Sequence, residues 1–93
     1  NITPFCDCWG LTTPALVPDI GVYASEDIVA VDDASLRAIR VKDLIPSALI
    51  PPFTLGKGKH LFEKIHSRDP FRQVQSLAKL GAGTTKYKVI TVK

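Results

Sequence analysis

The stretch from Pro18 to Ile39 constrains the fold of this 93-residue chain more than any other. The alternation from Ile20 to Ser25 is typical of a β-strand, because β-branched and aromatic residues fit a pleated surface. The cluster at residues 25–27 then offers side-chain oxygens to the first free N–H groups of a helix, and its acidic groups suit the positive end of the helix dipole. We therefore predict a strand at residues 20–24 and a helix that begins after Asp27 and ends near Val41.

Helical spacing predicts which side of this helix is buried. At about 100° per residue, one face collects five side chains, namely Ile28, Val31, Ser35, Leu36 and Ile39. Asp32 lies near the centre of that face, while Asp33 and Arg37 lie opposite it at the spacing of a weak surface ion pair. A carboxylate on an apolar face must be paired or hydrogen-bonded, because an isolated buried charge costs several kcal/mol. Three interpretations stay open: Asp32 accepts N–H bonds from a loop, it faces a ligand, metal or cluster-proximal pocket, or the helix phase is wrong.

The chain contains two cysteines, in the string Cys6-Asp7-Cys8. A disulfide between positions i and i+2 is strained, so thiols or metal thiolates are expected. Two cysteines are fewer than the four ligands of a structural zinc or iron–sulfur site, and the only histidines available to complete one are His60 and His66. Structural cysteines, redox or cluster-adjacent thiols, and a metal site all stay open.

The segment from residue 43 to residue 56 is rich in apolar residues and is interrupted by Pro46, Pro51 and Pro52, which forbid a long helix. A short helical turn is expected at residues 47–50. So much apolar surface on irregular backbone has to be covered. We expect part of this segment to dock on the remainder of a parent chain or on a second copy.

The rest of the chain predicts two further helices and a final strand. Residues 59–66 form a short helix with both histidines on the surface. Asp69-Pro70 begins the next helix, and Gly81 ends it in a left-handed conformation. Residues 86–92 alternate as a strand. The predicted fold is therefore a small mixed α/β domain with about three strands and three helices, in which residues 1–93 form a single domain.

Composition bears on partners and location. The net charge of +3 is mild and the basic residues are scattered, which does not favour nucleic-acid binding. No apolar stretch approaches the length of a membrane span and no signal-peptide pattern is present, so we expect no membrane partner and a cytoplasmic location. Because the chain starts at Asn1 and contains no methionine, we expect it to be the C-terminal fragment of a larger protein.

Four strings, taken in order, resemble a known family. They are C-D-C at residues 6–8, P-D-I-G-V-Y-A-S at 18–25, D-I-V-A-V-D-D-A-S at 27–35, and the glutamine helix that runs into A-K-L-G-A-G before the tyrosine segment. Together they resemble the C-terminal part of the DUF362 family of uncharacterised iron–sulfur centre proteins. Ile28 stands where that family usually has proline.

The resemblance implies a redox-associated module whose parent protein carries a [4Fe–4S] cluster. The ferredoxin-like cysteine string of that family is missing here, so no cofactor is expected within this fragment. The positions that match the polar motifs of the family are the candidate site residues: Cys6, Asp7 and Cys8 as metal or cluster-adjacent groups, and Asp19, Ser25, Asp27 and Asp32 as pocket groups.

Two alternative functions remain. The first is an enzyme domain that binds a metal or a small molecule through Asp27 and Asp32. The second is a structural or interaction domain with no site of its own. The sequence leaves open whether the chain is an enzyme.

Overall fold

The computed structural model describes residues 2–4, 14–49 and 54–92. These residues form three α-helices, α1 (Ile28–Ala38), α2 (Leu61–His66) and α3 (Arg72–Lys79), and two single-turn 3₁₀-helices at Val41–Asp43 and Pro46–Ala48. The chain divides into two compact units. The Leu16 unit comprises Asn1–Gly21 and Ile39–Asp69, and the Asp33 unit comprises Val22–Ala38 and Pro70–Lys93. The prediction of a single domain over residues 1–93 stays a prediction.

The predicted α/β class is wrong, because the described residues contain helices and no strand. The one ladder contact found among them is an isolated antiparallel bridge between Ile2 and Val17. Neither residues 20–24 nor residues 86–92 form a strand. Strand propensity reflects packing against neighbouring strands more than a preference of the backbone itself, so β-branched residues without a paired neighbour do not make a sheet.

Helix α1 begins as predicted and ends earlier, at Ala38. Asp27 Oδ1 accepts the N–H groups of Val29 at 2.9 Å and Ala30 at 3.0 Å, which is the bonding of an N-cap carboxylate. The Ser25 hydroxyl in turn accepts the N–H of Asp27 at 3.0 Å, which fixes the approach to the helix. The polar cluster before the helix therefore does what its residue types predict.

The predicted buried face of α1 is only partly correct. Ile28 is 58% exposed, whereas Val29, Ala30 and Asp33 are buried. Of the other predicted members, Ile39 is buried just after the helix, and three are half-buried, namely Val31, Ser35 and Leu36. Asp32, which was expected at the centre of the buried face, is half-buried. The helix turns an acidic residue inward at position 33 because that carboxylate has strong hydrogen-bond donors there, as described below.

Helix α3 begins later than predicted and ends where Gly81 predicts. Phe71 occupies the cap position instead of Asp69, and its own side chain makes no capping hydrogen bond. At the other end, Gly81 has φ +79° and donates to the carbonyl of Ala78 at 3.1 Å, while Ala82 donates to Leu77 at 3.0 Å. These two bonds form a Schellman motif. Helix α3 buries Val74 and packs against α1 within the Asp33 unit.

The Leu16 unit has its own apolar core. Its buried members are Leu16, Val17, Ile39, Ala48 and Leu61. The predicted turn in the proline-rich segment is the 3₁₀-helix at Pro46–Ala48, which inserts Ala48 into this core. Leu44, Ile45 and Leu49 pack against the same core and are half-buried. The described part of the segment at residues 43–56 is thus used partly within its own unit, and docking through that segment stays a prediction.

Among the helices of the described residues, none combines the length and the apolar character needed to cross a membrane.

Candidate functional site

The best-defined polar cluster of the Asp33 unit is built around a buried carboxylate. Asp33 is 2% exposed and lies on the inward face of α1. Its Oδ2 accepts the phenolic O–H of Tyr87 at 2.5 Å and the Nε–H of Arg37 at 2.7 Å. Tyr87 is 54 residues further along the chain, so this contact ties the segment after α3 to α1.

Arg37 closes the cluster on its solvent side. Its side chain is 65% exposed, and its guanidinium carbon lies 5.2 Å from the centroid of the Phe71 ring. This distance is within the range of a cation–π contact. The predicted ion pair between Asp33 and Arg37 is confirmed, but its acidic partner is buried and not on the surface.

The electrostatics of the cluster keep Asp33 ionised and Tyr87 protonated. Burial raises the pKa of Asp33, but the hydrogen bonds from Arg37 and Tyr87 and the charge of Arg37 outweigh burial, so its pKa lies below the ordinary aspartate value. Burial and the bond to Asp33 raise the pKa of Tyr87. The Asp33 carboxylate also raises the pKa of Arg37 through its hydrogen bond and its charge.

A second carboxylate, that of Asp27, binds the same C-terminal segment. While its Oδ1 caps α1, its Oδ2 accepts the N–H of Thr84 at 2.9 Å. These backbone bonds, with those from Ala30 and Thr84 the largest, lower the pKa of Asp27 despite partial burial. Gly83 packs so closely here that an added Cβ would overlap the Asp27 carboxylate and the Cβ of Val29.

Together the two carboxylates form a clamp between α1 and the segment at residues 83–87. Asp27 holds the backbone of this segment and Asp33 holds a side chain of it. In each case a carboxylate stays ionised because donors on the protein satisfy it. This arrangement is suited to fixing a peptide segment in place, and it uses Asp27 as a structural acceptor.

The pocket candidates predicted from the sequence do not form one cluster. Asp27 and Ser25 lie together at the start of α1, with Ser25 bonded to the N–H of Asp27. Asp32 is half-buried on α1, and Asp19 is exposed in the Leu16 unit. Cys6, Asp7 and Cys8 lie outside the described residues, and so does the expected approach of Asp32 to the cysteine pair. Within the described part of the chain, no group of three or more His, Cys, Asp or Glu side chains is placed to hold a metal ion.

Sequence reasoning missed the central pair of this site, Asp33 and Tyr87. A signal for Asp33 was present, because Val29, Asp33 and Leu36 have the i, i+4, i+7 spacing of a helix face. Predicting that face as the buried one would have meant placing the Asp33 carboxylate in the core, although the sequence does not show which groups donate hydrogen bonds to it. Tyr87 follows α3 on irregular backbone, and no local pattern connects it to α1.

Comparisons with protein-family models, with curated proteins and with solved structures found no match for this chain. The resemblance to the DUF362 family therefore stays a hypothesis.

Replacing Tyr87 with phenylalanine tests the clamp at its buried end. Tyr87→Phe removes one of the two donors to a buried carboxylate, so we expect the free energy of unfolding of the Asp33 unit to fall by about 1–2 kcal/mol. Tyr23→Phe removes the same hydroxyl from a tyrosine that is 37% exposed, and should stay within about 0.5 kcal/mol of the unmodified chain. The measurement is urea unfolding followed by NMR signals of residues 28–38. Equal losses in the two variants would contradict the structural role of Tyr87.

The clamp also predicts how stability depends on pH. The pKa values of Asp27 and Asp33 are lowered in the folded state. Their contribution is therefore present above the ordinary aspartate pKa of about 4 and is lost as pH falls through the folded values. The raised pKa of Tyr87 gives a contribution that is present below about pH 10 and is lost as pH rises through its folded value.

The experiment compares urea unfolding at a series of pH values from about 2 to 6. Asp33→Asn should give a shallower loss of stability on acidification than the unmodified chain, because one of the two shifted carboxylates is gone. A loss of the same steepness in both proteins would show that Asp33 is not a source of the acid sensitivity.

Proposed function

We propose that this chain is a structural and interaction module of a redox-associated iron–sulfur protein. We further propose that its residues 88–92, the docking segment, bind an apolar protein surface bordered by carboxylates. The observation that carries this proposal is the exposure of three apolar β-branched side chains in a segment that directly follows the clamp.

The residues that precede the docking segment, 84–87, are held by three hydrogen bonds. Asp27 accepts the N–H of Thr84 at 2.9 Å, and Asp33 accepts the O–H of Tyr87 at 2.5 Å. Between them, the Thr84 hydroxyl accepts the N–H of Lys86 at 3.0 Å. Anchoring of this kind reduces the conformational freedom that a partner would otherwise have to restrict, which favours binding.

The side chains after Tyr87 are the ones that a partner would cover. Val89 is 60% exposed, Ile90 75% and Val92 89%. Fully burying a side chain of this type stabilises by about 1.5–3 kcal/mol, so covering three of them is a substantial driving force. By contrast, Leu44, Ile45 and Leu49 already pack on the core of the Leu16 unit.

Charge specifies the partner further. Lys86 and Lys88 are exposed, and residues 84–92 contain no acidic residue. A partner surface that places carboxylates around an apolar centre would match this segment and speed the encounter, particularly at low salt. A purely apolar or a basic surface would leave the two ammonium groups unmatched.

The redox part of the proposal comes from the resemblance to iron–sulfur proteins and from the two closely spaced thiols of Cys6 and Cys8. Two closely spaced cysteines that are not expected to pair suit a reducing compartment, which supports the proposed cytoplasmic location. The [4Fe–4S] cluster would belong to the partner or parent polypeptide, with Cys6, Asp7 and Cys8 next to it. The alternative enzyme hypothesis has less support, because Asp27 accepts three backbone N–H groups.

A photo-crosslinking amino acid at position 90 identifies the partner. We expect it to capture a polypeptide whose crosslinked region combines apolar and acidic residues, and the purified partner is then titrated with the chain by calorimetry. Ile90→Lys should weaken binding at least tenfold, because it removes an apolar contact and adds a charge. Thr91→Lys adds the same charge without removing an apolar side chain, and should weaken binding less.

Salt separates the charge part of this proposal from the apolar part. Raising the salt from 50 to 500 mM should weaken binding of the unmodified chain and have little effect on a Lys86→Ala, Lys88→Ala double variant. Capture of a second copy of this chain, a partner region without acidic residues, or equal binding of the position 90 and 91 variants would each contradict the docking proposal.

Cysteine substitution tests the redox part separately. In the iron–sulfur protein that contains or binds this module, Cys6→Ser and Cys8→Ser should change the iron and sulfide content or the reduction potential, because a nearby thiol tunes a cluster. Ser25→Ala is the control, since it alters another family-motif position on a different element. Unchanged cluster content and potential in both cysteine variants would remove the redox hypothesis and leave the docking proposal intact.

A further inference from the structure

Helix α2 has a histidine at each end, and the two imidazoles have opposite hydrogen-bonding roles. His60 is the N-cap residue, and His66 is the last residue of the helix. The Nδ1 atom of His60 accepts the backbone N–H of Phe62 at 3.0 Å. The Nε2 atom of His66 lies 2.6 Å from the carbonyl oxygen of Pro4, which can only accept, so this nitrogen donates.

These roles respond differently to a proton. An imidazole accepts a hydrogen bond only through an unprotonated ring nitrogen, and both nitrogens donate once the ring is charged. Protonation therefore ends the bond between His60 and Phe62 but preserves the bond between His66 and Pro4. The helix dipole acts in the same direction, since it disfavours a positive charge at the N-terminus and favours one at the C-terminus.

The loop before α2 depends on the same helix start. Glu63 Oε1 accepts the N–H of Lys59 at 2.9 Å, and Gly56 donates its N–H to the carbonyl of Lys64 at 2.7 Å. Gly58 has φ +118°, and an added Cβ there would overlap the Glu63 side chain. Residues 57–60 are therefore folded back onto the first turn of α2, while Gly56 is held by Lys64 in the last turn. The fully buried Leu61 of the first turn belongs to the core of the Leu16 unit.

The charged groups around this helix start are mixed in sign. Those on the helix and its loop are Lys57, Lys59, Glu63 and Lys64. From the 3₁₀-helices of the same unit, Arg40 and Asp43 pair with each other at 2.9 Å, and Lys42 is exposed. The other charged groups of the described Leu16 unit, besides His66, are Asp19, Arg68 and Asp69. The core side chains that receive Leu61 are apolar.

We propose that the start of α2 is a pH-sensitive switch, in which neutral His60 caps the helix and protonated His60 releases its first turn together with the loop at residues 57–60. The contact between His66 and Pro4 persists through the same change, so the end of α2 stays tied to the N-terminal segment.

NMR of the unmodified chain tests the starting state directly. At pH 8 the ¹⁵N shifts of the His60 ring should show an unprotonated Nδ1 and a protonated Nε2. As pH is lowered, the amide shift of Phe62 should follow the titration of His60. The hydrogen-exchange protection factor of Phe62, corrected for intrinsic exchange rates, should fall about five-fold, the amount expected from a typical N-cap bond.

Two variants complete the experiment. His60→Asn keeps a side-chain acceptor at the N-cap without an imidazole, so protection of Phe62 should become independent of pH between 5 and 8. His66→Asn removes the other imidazole, and should leave the pH response of Phe62 unchanged. A protonated Nδ1 at pH 8, constant protection of Phe62 through the His60 titration, or a full pH response in His60→Asn would overturn the proposal.

Discussion

The Asp33 unit depends on a carboxylate that is removed from water and held by two donors from different parts of the chain. An isolated charge at this position would cost several kcal/mol, so the hydrogen bonds from Tyr87 and Arg37 contribute to the stability of the unit. Arg37 comes from the same helix, one turn further on, and is present whenever the helix forms. Tyr87 comes from beyond α3, and its contact requires the segment after that helix to return to α1. Burial of the Asp33 carboxylate therefore links the stability of α1 to the position of the Tyr87 segment, which is distant in the sequence.

The two acidic residues of the clamp illustrate different uses of the same functional group. Asp27 sits where backbone N–H groups of a helix start have no partner, and it bonds to two of these and to one more from Thr84. Asp33 receives side-chain donors only. Acidic residues in a motif are commonly considered as metal or catalytic groups, but here both are accounted for by donors within the protein. The exposed groups of the described residues include the apolar side chains of the docking segment and the lysines beside it.

The sequence predicted local features well and tertiary features poorly. The cap at Asp27 and the left-handed Gly81 follow from the chemistry of one or two residues and their neighbours, and both were predicted. A helical turn was predicted in the proline-rich segment at residues 47–50, and it lies at Pro46–Ala48. The buried face of α1 was predicted only in part, because the choice between Asp32 and Asp33 depends on a tyrosine 54 residues away from Asp33. The predicted strands failed for a related reason, since a ladder requires a partner and the alternation of side chains within one segment does not supply it. The contacts of Cys6 and Cys8 lie outside the described residues and stay predictions.

The close packing of Gly83 on Asp27 links two positions that are far apart in the chain. Any side chain at position 83 would displace the carboxylate that caps α1. The glycine is therefore required for as long as the aspartate makes these contacts. Homologous chains that keep the aspartate are expected to keep the glycine as well.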